Sequence, residues 1–525
     1  MLCAHIIVTL QAKENLITMY ARTSRLIFCF LSAALLVVIA ACQGGQTTNG
    51  NEHDSDSVKV PTFKELTLPD TMLTSAEVVT FVVDVADSSE HLLNDYDDAY
   101  AGTTNVCTFR GNALRNAQFG GKVEGEPDTV IVAWTFMTEN SKVKTDIGVW
   151  GGGTGWTGQP LLLNDREVLV GSLCGKVYFI DFETGQKSRE PYDAGNVVKG
   201  TMSLDPEWPN LYVGQGVSNH NAFGCEVFDL ERNERTWFFN RDPKAWRSWG
   251  AYDSSPVVAG GYLFWPSENG SIYKYERARG ELHRVATLRY RVNGAAPGIE
   301  SSMCIYRNYG FIGDNHGNIL AVNLNTMRPV WRYYNHDDSD GSIVCREENG
   351  TAYLYAGCEV DKQGMKGTCH IIKLRAVDGS LVWEQTFVCT RKDLGEKTLD
   401  GGMYSTPLLG TGNCDDLIFV NLCRNNAANT RGELVALHTA DGSVAYTIPL
   451  KEWAWSSPVG FLNESNEMYI FTGDAGGNIY LIRGRDGEIL YTQKLNALFE
   501  SSPLVVGNAA IVGSRGNGIY KFIIQ

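Results

Sequence analysis

The stretch Gly477-Asn-Ile-Tyr-Leu-Ile482, with Arg485-Asp-Gly-Glu-Ile-Leu-Tyr491 behind it, decides the fold because the chain repeats it. The glycine-led apolar segment returns as Gly175-Lys-Val-Tyr-Phe-Ile, Gly270-Ser-Ile-Tyr-Lys-Tyr, Gly317-Asn-Ile-Leu-Ala-Val, Gly432-Glu-Leu-Val-Ala-Leu and Gly518-Ile-Tyr-Lys-Phe. With Cys225-Glu-Val-Phe-Asp-Leu and Cys369-His-Ile-Ile-Lys-Leu, where cysteine replaces the glycine, there are eight copies. Most run into a turn and a further strand, as in Ala376-Val-Asp-Gly-Ser-Leu-Val-Trp383 and Ala440-Asp-Gly-Ser-Val-Ala-Tyr446. Asp-Gly between alternating apolar runs reads as a type I′ hairpin.

A second motif precedes each copy: Trp156-Thr-Gly-Gln-Pro160, Lys199-Gly-Thr-Met202, Asp253-Ser-Ser-Pro256, Glu300-Ser-Ser-Met303, Asp340-Gly-Ser-Ile343, Tyr404-Ser-Thr-Pro407, Trp455-Ser-Ser-Pro458 and Glu500-Ser-Ser-Pro503. Small residues suit strands that crowd round an axis, so these should line a central channel. A period of about 40 to 60 residues with four strands per unit predicts a β-propeller, because no unit can bury both faces alone. The fold expected is therefore all-β, an eight-bladed propeller of four-stranded blades. The last copy ends at Gln525 without its outer strand, whereas Thr129-Val-Ile-Val-Ala-Trp-Thr-Phe136 is a spare strand ahead of the first motif. Pairing the two would close the ring and remove an open edge.

Composition agrees. Of 525 residues, 55 are Gly and only 16 Pro, with 43% hydrophobic and 20% charged residues, which excludes a disordered or polytopic membrane chain. The net charge of −15 and the lack of a basic, aromatic-interleaved stripe argue against a nucleic-acid partner. Near the N-terminus, Met-Tyr-Ala-Arg-Thr-Ser-Arg from Met19 leads an apolar run from Leu26 to Ala41 and then Cys42, the pattern of a secretory signal; the start codon is Met1 or Met19. Ile39-Ala-Ala-Cys42 resembles the bacterial lipobox, which implies a lipid on Cys42 and a membrane-anchored lipoprotein of the cell envelope, on a periplasmic or surface face. Removing residues 1–41 would take Lys13, Arg22 and Arg25 against Glu14, a net +2, leaving about −17. Residues 42–60 read as a flexible tether, 61–108 as an N-terminal extension containing the strand-like Val78-Val-Thr-Phe-Val-Val-Asp84, and 109–525 as the propeller. Ten cysteines remain after Cys42, an even number for an oxidising compartment; Cys358 with Cys369, and Cys414 with Cys423, are candidate disulfides.

The glycine-led strand, the Asp-Gly turn and a closing Trp or Tyr resemble the pyrroloquinoline quinone (PQQ)-like repeats of quinoprotein-type propellers, from about Phe109 to Gln525. Thr108-Phe-Arg-Gly-Asn-Ala-Leu-Arg115 is similar to that family's opening segment, and Trp134, Trp237, Trp331 and Trp383 fall where it docks blades with tryptophans. The signatures of WD and kelch repeats are missing. In the quinoprotein dehydrogenases the resemblance implies PQQ beneath an adjacent-cysteine disulfide with Ca2+ held by Glu, Asn and Asp, yet this sequence has no Cys-Cys pair and no haem-attachment C-x-x-C-H. Neither PQQ nor another cofactor is expected. In anchor and blade number the chain is similar to the propeller scaffold lipoproteins of the outer-membrane β-barrel assembly machinery, from which it departs in about sixty residues between Lys59 and Gly120.

No catalytic motif stands out: there is no G-x-S-x-G, Walker loop, C-x-x-C or zinc helix, and a Ser-Ser-Pro repeated by architecture is not a nucleophile. His220, His316 and His336 read as surface loop residues, and no metal site is expected. His336-Asp-Asp-Ser-Asp-Gly341 is similar to a Ca2+ loop but lacks its first and twelfth ligands, so a solvated acidic turn is the simpler account. The binding candidates are therefore at the channel mouth: Trp246, Trp249 and Trp453 as an exposed aromatic rim, with Trp455 and Tyr404 packing between blades, and Asp253, Glu300, Asp340 and Glu500 as an acidic ring able to hold a cation, Ca2+ included. The function expected is a non-catalytic envelope scaffold for protein partners. The alternative is a ligand-binding or oxidoreductase propeller using the mouth, with carbohydrate or a quinone as ligand.

Overall fold

The computed structural model describes residues 78–525 apart from 118–120, 146–147, 218–222, 394–397 and 425–430. The signal, Cys42, the tether and residues 61–77 of the extension, like His220, lie outside the described residues. All eight repeats fold as four-stranded antiparallel blades. Blade 1 is built from Leu161–Leu163, Glu167–Gly171, Lys176–Asp181 and Lys187–Asp193, and blades 2 to 8 begin at Ser203, Val257, Cys304, Val344, Leu408, Val459 and Leu504. Inner strands such as Asn210–Gly214 are buried along their whole length, whereas outer strands such as Leu381–Thr390 alternate between buried and exposed. The apolar run without alternation and the alternating run thus separate the middle of a blade from its rim.

The ring closes as expected. Val130–Met137 pairs antiparallel with Gly518–Ile524, Val130 opposite Ile524 and Met137 opposite Gly518. The strand of the extension also has a place: Val79–Val85 adds a fifth strand to blade 3, with Val79 opposite Val292. Arg289 ties it down by donating to Asp84 at 2.6 Å.

The small-residue motif does more than avoid collision. Its last hydroxyl accepts a backbone N–H from the preceding blade: Ser255 N to Ser302 Oγ at 2.9 Å, Ser302 N to Ser342 Oγ at 2.9 Å, Ser342 N to Thr406 Oγ1 at 3.2 Å and Thr406 N to Ser457 Oγ at 2.9 Å. In blades 4, 6 and 8 the hydroxyl before it donates to the blade's own second strand, from Ser301 to Gly313 O at 2.8 Å, Ser405 to Asn421 O at 3.0 Å and Ser501 to Gly513 O at 2.8 Å. A belt of hydroxyls therefore satisfies backbone groups that radial strands cannot offer one another.

The turns correct the hairpin reading. Gly379, Gly442 and Gly487 have φ of +68°, +74° and +79°, but the aspartates before them do not, so these are four-residue loops ending in a left-handed glycine rather than type I′ turns. Glycine is required there twice over. The indole of Trp383 on blade 5 lies on Gly442 of blade 6, where a Cβ would sit 2.5 Å from the ring, and Trp383 Nε1 donates to Thr439 O at 2.9 Å. Trp331 docks on blade 6's neighbour, blade 5, in the same way through Ala376 O, and Trp134 docks on blade 1 through Phe182 O. Trp237 instead packs edge-on against Tyr275 of blade 3.

One end of the channel is filled. Thr108 to Arg115 crosses it: Arg110 donates to Thr406 O and Pro458 O at 2.8 and 2.9 Å, and Arg115 donates to Met303 O, Phe109 O and Ser255 O. Their guanidiniums are buried, and burial pulls both below the usual arginine range, Arg110 to about 9 and Arg115 to about 10.

All ten described cysteines are free and buried. The Cys414–Cys423 pairing fails because the strand Leu417–Cys423 lies between them and holds them about 20 Å apart. Cys369 hydrogen-bonds through its thiol to Cys358 and Cys389, so the other candidate pair are in contact as thiols.

Candidate functional site

At the open end, the first position of each small-residue motif faces the mouth, one residue per blade: Lys199, Asp253, Glu300 and Asp340 from blades 2 to 5, Tyr404 and Trp455 from blades 6 and 7, Glu500 from blade 8 and Trp156 ahead of blade 1. The mouth divides into an acidic half and an aromatic half.

In the acidic half, carboxylate oxygens of Asp253, Glu268 and Glu300 lie within 4.8 Å of one another, as do those of Asp338, Asp340 and Glu359. Lys199 pairs with Asp253 and reaches Glu300 at 3.5 Å, while Lys362 reaches Asp338 at 3.2 Å. With Arg247 3.8 Å from Glu268, three cations thus face six carboxylates. Oδ1 of Asp253, Asp338 and Asp340 and Oε1 of Glu359 are buried without a hydrogen-bond partner among the described residues. Burial, reinforced by the neighbouring acids, pushes Glu268, Asp340 and Glu359 well above the carboxylate range, and burial lifts Asp253 and Asp338 to about 6 despite their lysines. Burial pulls Lys199 down, but Asp253, Glu300 and Glu268 together carry it well above its ordinary value. Strongly perturbed acids converging in a mouth are the mark of a site that binds or reacts, and oxygen-only donors of this density suit a hard divalent cation.

The loop His336 to Gly341 is not a solvated turn. Asp337, Asp338 and Asp340 are buried. Asp337 accepts the backbone N–H groups of Asp361 and Lys362 at 3.0 and 3.1 Å, locking the loop to blade 5. Short pairs of Glu359–Val360 with Gly401–Gly402, themselves joined to Cys423 of blade 6, carry Glu359 into the mouth.

In the aromatic half, Trp455 stacks on Tyr404 at 4.6 Å, Trp453 leans on Trp455 at 4.7 Å, and Trp156 donates to Tyr404 O at 3.1 Å from the far side of the ring. Trp453 and Trp455 are half-buried. The Tyr404 hydroxyl bonds to Glu359, which joins the two halves.

Of the residues expected here, Asp253, Glu300, Asp340 and Trp453 are brought together. Trp249 is half-buried and its side chain bonds to Glu268. Trp246 is not at the mouth; Arg291, on the outer strand of blade 3, lies over its ring at 4.6 Å. Glu500 faces the mouth but belongs to neither carboxylate group, and Arg515 binds it at 2.5 Å. Lys199, Glu268 and Glu359 were missed. Lys199 was legible, since it occupies the same motif position as the acids, but Glu268 lies in a turn and Glu359 enters by strand exchange between blades.

The family described as outer membrane protein assembly factor BamB matches residues 227–397 and 431–524, together just over half the chain. Among solved structures, a europium-containing methanol dehydrogenase is 11% identical with a TM-score of 0.59, covering 81% of this chain and 99% of its own. Quinohemoprotein alcohol dehydrogenase from Comamonas testosteroni is 14% identical with a TM-score of 0.56, covering 81% of each chain. BamB from Moraxella catarrhalis is 14% identical with a TM-score of 0.49, covering 75% of this chain and all of its own. No curated protein matches the sequence.

Proposed function

The chain belongs to the family described as outer membrane protein assembly factor BamB, and from that premise we propose that it is a non-catalytic envelope scaffold that docks a protein partner on its channel mouth. The observation that carries this is the pairing of a stacked aromatic group with an acidic group over a channel filled at its other end. Rings such as Trp453 and Trp455 anchor protein interfaces, and the acids suit a partner segment carrying lysine or arginine. A lipid on Cys42 and a tether over residues 42–60 would hold the 109–525 propeller at the membrane. The test is a photo-crosslinking residue at position 453 in the host envelope. A crosslink to an outer-membrane protein assembly component supports the reading; crosslinks from a control surface position with none from 453 would overturn it.

A second reading rests on the buried carboxylate oxygens without partners. They favour a cation at the mouth and with it a ligand-binding or oxidoreductase role, carbohydrate stacking on the indoles or a quinone being the alternatives. The residues fit a cation better than PQQ. Three carboxylates on the quinone would meet carboxylates, and the lysines there are already engaged by Asp253 and Asp338. When bound, PQQ supplies a two-electron oxidant. Metal analysis with a dye-linked alcohol oxidation assay separates this reading from the first.

A further inference from the structure

Sequence spacing offers no metal motif, but the interface of blades 4 and 5 assembles one. Blade 4's outer strand, Arg328–Tyr334, leads into His336. His370 and Glu384 lie on adjacent strands of blade 5, where His370 pairs with Thr386 and Ile372 with Glu384. Glu384 is thus two residues along from the partner of His370, which places both on one face of the sheet.

The two imidazoles stack with centroids 3.9 Å apart and planes 21° from parallel. His370 Nδ1 is 2.6 Å from Glu384 Oε1, and His336 Nε2 is 3.9 Å from the same oxygen. One ligand atom from each of the three residues lies within 4.8 Å of the other two. Zinc–nitrogen bonds of about 2.1 Å put tetrahedral ligands roughly 3.4 Å apart, so binding requires the two rings to swing out of their stack until a nitrogen of each aims at one ion. His336 is held in place: its backbone is left-handed at φ +68°, its carbonyl accepts from the Tyr334 hydroxyl at 3.1 Å, and Asp337 beside it is bound to blade 5. The exposures of His336, His370 and Glu384 are 46%, 15% and 29%, which leaves a coordination position open to solvent.

We propose that His336, His370 and Glu384 form a binding site for a transition-metal dication of the zinc class, distinct from the all-oxygen mouth. Two nitrogens and one carboxylate with an open position are the donor set of an accessible zinc site rather than of a closed structural one. A bound metal would also join blade 4 to blade 5.

The test uses the full chain stripped by chelation, titrated with Zn2+ against a chromophoric chelator and, separately, loaded with Cu2+ for paramagnetic resonance. One equivalent with coupling to two imidazole nitrogens is expected. His336→Asn, which tolerates the left-handed backbone, and His370→Ala should each weaken Zn2+ binding at least tenfold and remove one nitrogen coupling. Asp340→Asn at the mouth should leave the nitrogen signal unchanged. A wild-type spectrum without imidazole coupling would overturn the proposal, as would folded His336→Asn and His370→Ala proteins that bind like wild type.

Discussion

Asp340→Asn should stabilise the metal-free protein at neutral pH, the reverse of the usual cost of altering a buried polar residue. Asp340 sits with Asp338 and Glu359, near Glu300, and burial is the largest cause of its raised pKa; every charged group acting on it is another acid. Asp338 beside it, though relieved by Lys362, is still lifted from 3.8 to about 6. At about 1.36 kcal/mol per unit, that shift means about 3 kcal/mol set against the ionised form. An acid raised on folding holds its proton in the native state while the unfolded chain has lost it. Its stabilising effect is therefore complete below the unfolded value and is lost as pH rises through the folded one. Asp340 has no lysine among its causes, so replacing it should recover about 1–3 kcal/mol at pH 7.5 and little at about pH 3, below the unfolded value. Roughly 450 folded residues at about 2.1 cal/mol/K each make 1 kcal/mol worth about 1 °C, so the melting temperature should rise by about 1–3 °C in chelator. Adding Ca2+ should favour wild type instead, because only its full carboxylate set can gain from binding. An Asp340→Asn protein destabilised equally at both pH values would refute the reasoning, since the carboxylate would then be a satisfied acceptor and not a strained charge.

Ser302→Ala removes the acceptor for the buried Ser255 N–H and should cost about 1–3 kcal/mol, with hydrogen exchange at Ser255 accelerating before that of the outer strands. Gly442→Ala meets both a φ of +74° and the Trp383 ring at 2.5 Å, so it should destabilise by more than the roughly 1 kcal/mol of a left-handed position alone, measured by urea denaturation. Trp453→Ala should leave the melting temperature within about 1 °C, being at the half-buried rim, yet lower partner crosslinking or binding at least tenfold, as loss of an interfacial tryptophan anchor does.

The strands could be read because their signals are local. Third strands sit where the glycine-led segments place them, from Lys176–Asp181 to Gly518–Ile524, since an apolar run between turn residues needs no distant partner to declare itself. Asp-Gly suits two loops, and the left-handed glycine with an aromatic ring of the preceding blade packed on it decides between them. The acidic ring was partly legible at Asp253, Glu300 and Asp340, which share a motif position. Glu500 shares it too, but Arg515 in the turn of its own blade takes its charge, and nothing in the motif announces that arginine.

By itself, the sequence determined the number of blades, the order of strands and the closure of blade 8 by an N-terminal strand, because a repeat of fixed period with one missing and one spare strand admits little else. Tertiary structure alone decided what the blades do together. The hydroxyl belt, the arginines that fill the channel, the six clustered carboxylates and the stacked histidines each join residues from different blades, far apart in the chain. Their energies depend on distance and burial, and a linear pattern records neither.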